Sequence, residues 1–338
     1  MIRFASPADL TDLLGALPAP DAAAAARAAA RQAELTKPAG SLGRLEEVAV
    51  FMAGWQGREH PRAERIAVTV FAGNHGVVAR GVSAYPAEVT AQMVANFHHG
   101  GAAINALAAA CGASLSVVPL ALDWPTGDIT REPALSEADC LDALNAGAGA
   151  VASGLDLLIV GEMGIGNTTP AAALAAQAYG GAVEDWVGHG TGIDAATHAR
   201  KCAAVAGALA LHGPFCASPF ETLRRLGGRE IVAMAGAMLA ARAARVPVLL
   251  DGFICCAALA PLAAERPAVL DHCLAGHVSA EVGHARLLER FGKAPLLALN
   301  MRLGEGTGAA VAAQVVRSAL AAHNGMATFA EAAVAGKL

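Results

Sequence analysis

Charge is scarce in this chain and has no basic excess. Only 16% of its 338 residues are charged, and the formal net charge is −5. That removes the electrostatic footprint expected of a nucleic-acid binder. No uninterrupted apolar run comes near the roughly 20 residues that a spanning helix needs, so no membrane segment is expected. Residues 1–17 carry Arg3, Asp9 and Asp12 and lack an apolar core, so a secretory leader is not expected either. C-x-x-C pairs are missing. The seven cysteines are an odd, scattered set that reads as buried thiols and fits a cytoplasmic location. His98 and His99 invite a metal, but their spacing matches no zinc pattern and there is no H-E-x-x-H, so no metal site is expected.

What is present is apolar bulk. Apolar residues make up 55% of the chain, which excludes disorder and allows one large domain or two moderate ones. The stretch LLALNMRLGEGTG at 296–308 organises the rest. Its first four residues read as a buried strand and 309–322 as a helix. Glu305 therefore stands in a tight strand-to-helix loop between glycines, which let the backbone turn and a ligand approach. With Arg302 three residues earlier, Glu305 is a candidate for acid/base work. A solvated loop carboxylate, or a charge complementing the helix dipole, is the plainer reading.

Taken in order, residues 1–36 read as two helices, the first capped by Ser6 with Pro7 in its first turn, the second capped by Asp21. KPAGSLGRLE at 37–46 is a capped connector or a binding loop, leading into a helix over 41–55. Strands are expected at 66–71, 114–122, 155–160 and 246–254, the last ending near Cys255 and Cys256. Helices are expected over 87–96, after 170, around Lys201, over 229–244 and from 277. Residues 187–192 form a further Gly-rich turn. The repeated unit is strand, Gly-rich loop, helix, which implies an α/β fold with a mostly parallel sheet. The loops after 71, 122, 160, 254 and 299 fall at strand carboxyl ends and should converge on one site.

The loop GEMGIGNTTP at 161–170 looks like a phosphate cradle. Gly164, Gly166, Asn167, Thr168 and Thr169 offer N–H groups and hydroxyls at a helix start, with Thr169 expected as N-cap and Pro170 as first helical residue. No Gly-Lys-Ser/Thr follows and the loop is not G-x-G-x-x-G, so the ligand expected is a phosphorylated small molecule, neither a nucleoside triphosphate nor NAD. Glu162 adds a carboxylate beside it.

Together, GEMGIGNTTP at 161–170, KPAGSLGRLE at 37–46, VLLDGF at 248–253 and MRLGEGTG at 301–308 resemble the nicotinate-nucleotide–dimethylbenzimidazole phosphoribosyltransferase family. The similarity runs from about residue 10 to 330, with four motifs in the family's order. It implies a Rossmann-like large domain (37–309), a small helical domain from both chain ends (1–36 with 310–338), and a homodimer whose site receives residues from the neighbouring subunit. It implies transfer of the 5-phosphoribosyl group of nicotinate mononucleotide to 5,6-dimethylbenzimidazole, which supplies the lower-ligand nucleotide of cobalamin. Both substrates are small molecules and no cofactor is needed, because the nicotinate nitrogen is already cationic and leaves neutral. The family's catalytic glutamate falls on Glu305, with Glu162 in support. Lys201, Ser279 and Arg302, with the 164–169 loop, match nucleotide-binding positions. Ser83, Tyr85, Met93 and Leu303 would receive the base. Tyr85 and Met93 depart from a serine and a glutamine found in the family, which bears on base preference. A nucleotide hydrolase and a nucleotide-binding sensor are the alternatives.

Overall fold

The computed structural model describes residues 2–188 and 194–335. Six parallel strands make one sheet: β1 (Ile66–Ala72), β2 (Ala113–Pro119), β3 (Leu157–Met163), β4 (Val248–Leu250), β5 (Cys273–His277) and β6 (Pro295–Leu297). Their spatial order is β2-β1-β3-β4-β5-β6. The chain steps from β1 outward to β2, then crosses back to β3 on the other side and proceeds outward through β6. That reversal between β1 and β3 is a topological switch point, where open α/β sheets leave a crevice beyond the strand ends.

Side chains alternate across the sheet. Leu157 and Ile159 join one buried cluster with Val68, Val70 and the Thr307–Gly325 helix, while Leu158 and Val160 join the opposite cluster with the Arg229–Ala243 and Phe253–Glu265 helices. Helices on both faces explain why the central strands read as continuous apolar runs rather than alternating ones. The chain ends are tied together by an antiparallel bridge from Leu35 to Thr328 and by Arg31, which donates to the carbonyls of His323 and Met326.

Ser6–Pro7 and Asp21 start their helices as expected, Asp21 accepting from Ala24 N–H. Other boundaries move. The strand expected over 114–122 stops at Pro119. Gly161, Glu162 and Met163 belong to β3, not to a loop. The following helix begins at Thr168, with Asn167 in the cap position and Pro170 third in the helix. Any of the first helical residues can dispense with its N–H, so proline does not single out one of them. The run 246–254 holds only a three-residue strand. Helix resumes at Phe253, so Cys255 and Cys256 are helical and buried, not strand-terminal. β5 lies in a segment where no strand is expected, and the helix expected from 277 starts at Val282. β6 is an edge strand whose residues are half-buried or exposed, because it has a neighbour on one side only.

Candidate active site

A cavity of about 400 Å³ opens beyond the carboxyl ends of β1, β3, β4, β5 and β6, within the size range of small-molecule sites. Of the sites read from sequence, its wall carries Glu305, Glu162, Gly164, Gly166, Asn167, Thr168, Lys201, Ser279, Arg302, Ser83, Tyr85, Met93 and Leu303. Thr169 is not on it. That side chain is wholly buried, and its N–H already donates to Gly166 O at 3.1 Å. The loop after β2 does not reach it either. β2 is the edge strand beyond the switch point, and residues 125–127 and 132–136 line a separate open cleft with Asp139, Arg224 and Arg229. The 37–46 motif lies off the cavity wall, pinned by a Lys37–Glu46 ion pair of 2.7 Å. Residues 189–192 of the Gly-rich turn lie outside the described residues.

Glu305 is set by its backbone. Gly304, Glu305 and Gly306 all have positive φ, of 86°, 62° and 85°. For a residue with a β-carbon this conformation costs on the order of 1–3 kcal/mol and needs surrounding structure to hold it. Gly161 of β3 supplies part of that structure, since a β-carbon there would overlap the Glu305 carbonyl. Asp251, at the end of β4, supplies the rest. It accepts from Gly306 N–H at 3.2 Å and Ala309 N–H at 2.9 Å, and so fixes the start of the Thr307–Gly325 helix. Glu305 is 3% exposed, and its Oε2 has no hydrogen-bond partner among the described residues. Burial pushes its pKa up, with the Asp251 charge acting in the same direction.

Glu162 is a second buried carboxyl. Asn167 Nδ2 donates to its Oε2, and Gly304 must lack a side chain because a β-carbon would strike its Oε1. Burial pushes its pKa up to about 8 against the Asn167 hydrogen bond, and the charges of Glu230, Asp251 and Glu305 add to the rise. Lys201 Nζ reaches Gly188 O at 3.4 Å. Burial lowers its pKa and Glu281 opposes the fall. Ile165 N–H donates to Thr90 Oγ1 at 3.1 Å, which ties the 164–168 loop to the Glu88–His98 helix that carries Met93. Tyr85 and Leu303 are half exposed and form the mouth.

Several residues here escaped the reading of the sequence. His75 and Glu230 form a wholly buried pair at 2.7 Å beneath Gly164, where a β-carbon would lie 3.1 Å from Glu230 Oε1. Their signal was the pair of glycine-flanked polar turns at 73–76 and 227–230. Asp251 as a helix anchor, His277 on the wall and His284 behind it carried no local signal. Among the described residues, no cluster of His, Cys, Asp or Glu is arranged to hold a metal, and no helix is long and apolar enough to cross a membrane.

A family model described as a phosphoribosyltransferase matches residues 17–334. The nicotinate-nucleotide–dimethylbenzimidazole phosphoribosyltransferase of Novosphingobium aromaticivorans is 63% identical over 338 residues, covering all of both chains. The protein of the same name from Methylocella silvestris is 57% identical, covering 100% of this chain and 99% of its own. Among solved structures, that of CobT from Thermus thermophilus aligns with a TM-score of 0.88 at 43% identity, over 93% of this chain and 100% of its own. With the motifs, the parallel sheet and these full-length likenesses in agreement, the chain belongs to the nicotinate-nucleotide–dimethylbenzimidazole phosphoribosyltransferase family.

Proposed function

We propose that this protein transfers the 5-phosphoribosyl group of nicotinate mononucleotide to 5,6-dimethylbenzimidazole, giving α-ribazole 5′-phosphate and nicotinate. The observation that carries this reading is the match to relatives of that name over the entire chain, at up to 63% identity. The wall supports it with a buried carboxyl, Glu305, one of whose oxygens has no hydrogen-bond partner among the described residues, and with the buried amine of Lys201.

The chemistry follows from the two substrates. The C1′–N bond to nicotinate breaks with its electron pair going to the pyridine nitrogen, which was cationic and leaves neutral. A benzimidazole nitrogen donates its lone pair to C1′ from the opposite face, inverting β to α. The ring then carries positive charge, and its other N–H becomes acidic. Glu305 accepts that proton. Burial, which raises its pKa above the ordinary carboxyl value, makes it a stronger proton acceptor than a solvated glutamate. Lys201, the 164–168 loop, Ser279 and Arg302 hold the phosphoribosyl end, and Tyr85, Met93, Ser83 and Leu303 hold the base. Such positioning replaces a bimolecular encounter by an oriented one. The active form is a homodimer, with the exposed apolar side chains at the cavity mouth facing a second copy.

Incubation with nicotinate mononucleotide, with and without dimethylbenzimidazole, tests the reading. Transfer requires nicotinate release that depends on the base. Release without it makes the protein a hydrolase, and no release in either case makes it a binder only.

A further inference from the structure

Ser279 stands on the cavity wall two residues beyond β5 and is held by a side chain that the transfer itself does not touch. Its backbone N–H donates to His284 Nδ1 at 2.8 Å, and its Oγ lies 2.9 Å from the same nitrogen. An N–H donor makes Nδ1 an acceptor, so the proton of the neutral ring sits on Nε2. Nε2 lies 3.4 Å from Cys256 Sγ, on the Phe253–Glu265 helix that follows Asp251. The Glu281 N–H also points to Ser279 Oγ, at 3.4 Å. His284 is wholly buried. Burial, with the neighbouring His277, pushes its pKa down to about 3, so the ring stays neutral at any working pH. One imidazole thus joins the helix that follows β4 to the loop after β5.

We propose that His284 is a positioning residue for the transfer: its Nδ1 holds Ser279 where the serine hydroxyl meets the nucleotide, and its Nε2–H anchors that arrangement on Cys256. This rests on reading the cavity as the nucleotide site. A residue that only filled space here would need volume. A residue that positions Ser279 needs an acceptor at the place of Nδ1.

Two variants separate these roles. His284→Asn sets an amide near the place of Nδ1, whereas the longer side chain of His284→Gln carries its amide toward the place of Nε2. His284→Gln is expected to raise the KM for nicotinate mononucleotide about 5- to 30-fold, the range for one lost hydrogen bond, with the KM for dimethylbenzimidazole unchanged. His284→Asn stays close to wild type. In a Ser279→Ala background the His284→Gln effect largely vanishes, because the two residues act as one unit. Equal losses for Asn and Gln, equal weakening of both substrates, or full additivity with Ser279→Ala would overturn the proposal and leave a packing role. Should His284→Gln fail to fold, Cys256 gives the second arm. Cys256→Val is expected to raise the nucleotide KM while Cys256→Ser, which keeps an acceptor, does not, and no difference between them counts against the anchor. The wild type runs alongside. If it shows no base-dependent release, the functional reading and this proposal fall together; if it transfers and His284→Gln behaves like it, only this proposal falls.

Discussion

Glu305 combines burial, a left-handed backbone and a carboxylate oxygen with no partner among the described residues. A side chain kept in so costly a state is a candidate for chemistry, because strain of this kind persists only where surrounding structure enforces it. Glu305→Gln keeps the size and removes the base, so turnover at saturating substrates is expected to fall at least about 100-fold while nicotinate mononucleotide still binds. Near-normal turnover in that variant would move the base to Glu162. Glu162 itself makes a prediction about stability. Its native pKa of about 8 lies above the unfolded value of 4.5, so the native state holds a proton that the unfolded state has lost. The stability it contributes is complete below about pH 4.5 and is lost as pH rises through 8, on the order of a few kcal/mol. Glu162→Gln should be less sensitive to pH over that window, with thermal midpoints of the two proteins diverging as pH rises from 5 to 9. Parallel curves would show that Glu162 is ionised in the native protein. Lys201→Ala is expected to weaken nicotinate mononucleotide by about 1.5–3 kcal/mol, the worth of a charge-assisted contact, and to leave the base largely unaffected. Calorimetry with each substrate decides, and equal losses refute the phosphate assignment.

At the scale of elements, the cavity is a set of loops held at fixed offsets from strand ends, and the Glu88–His98 helix, which carries Met93, is tied to the 164–168 loop through Thr90 and Ile165. Tyr85→Ala and Met93→Ala should therefore change the ranking among competing aromatic bases in a mixed-substrate assay. Lost stability with an unchanged ranking would assign both to packing. β1 and β3 were legible because apolar β-branched runs end at glycine, and that pattern has few other readings. The run 246–254 was not, since a short apolar run on either side of Asp251–Gly252 cannot by itself tell strand from buried helix, and the turn at Asp251–Gly252 is set by what Asp251 caps 55 residues later. β5 is five residues, CLAGH, too short and too mixed to announce itself. The proline after Thr169 suggests a helix start at Pro170 with Thr169 on the ligand side, whereas the helix begins two residues earlier, at Thr168, and turns the Thr169 side chain into the core. The His75–Glu230 pair joins residues 155 apart in the chain, so only the folded sheet brings it beneath Gly164.

For the molecule as a whole, the question is what covers the strand-end face. Tyr85 and Leu303 on the cavity wall are 50% and 54% exposed, and Val282 and Leu299, close by in sequence to wall residues, are each 56% exposed. Exposed apolar side chains on and beside a site wall are the kind of surface that a partner covers. A second copy of the chain is the partner we propose for it. Covering the mouth would also serve the reaction. C1′ becomes electrophilic as nicotinate leaves, and water admitted at that moment would compete with the benzimidazole, so exclusion of solvent favours transfer over hydrolysis. Light scattering at micromolar concentration is expected to give about twice the 33.8 kDa chain mass, and a monomer alone would refute the dimer. Leu299→Glu places a charge at the apolar rim we propose, on an exposed position that is not part of the cavity wall. It is expected to shift the protein toward monomer and to raise nicotinate release relative to α-ribazole 5′-phosphate formed. If Leu299→Glu dissociates the dimer while the two products stay equal, the partner does not guard the site. If it remains dimeric with unequal products, the rim shields the site within one chain, and the contact between copies lies on another face.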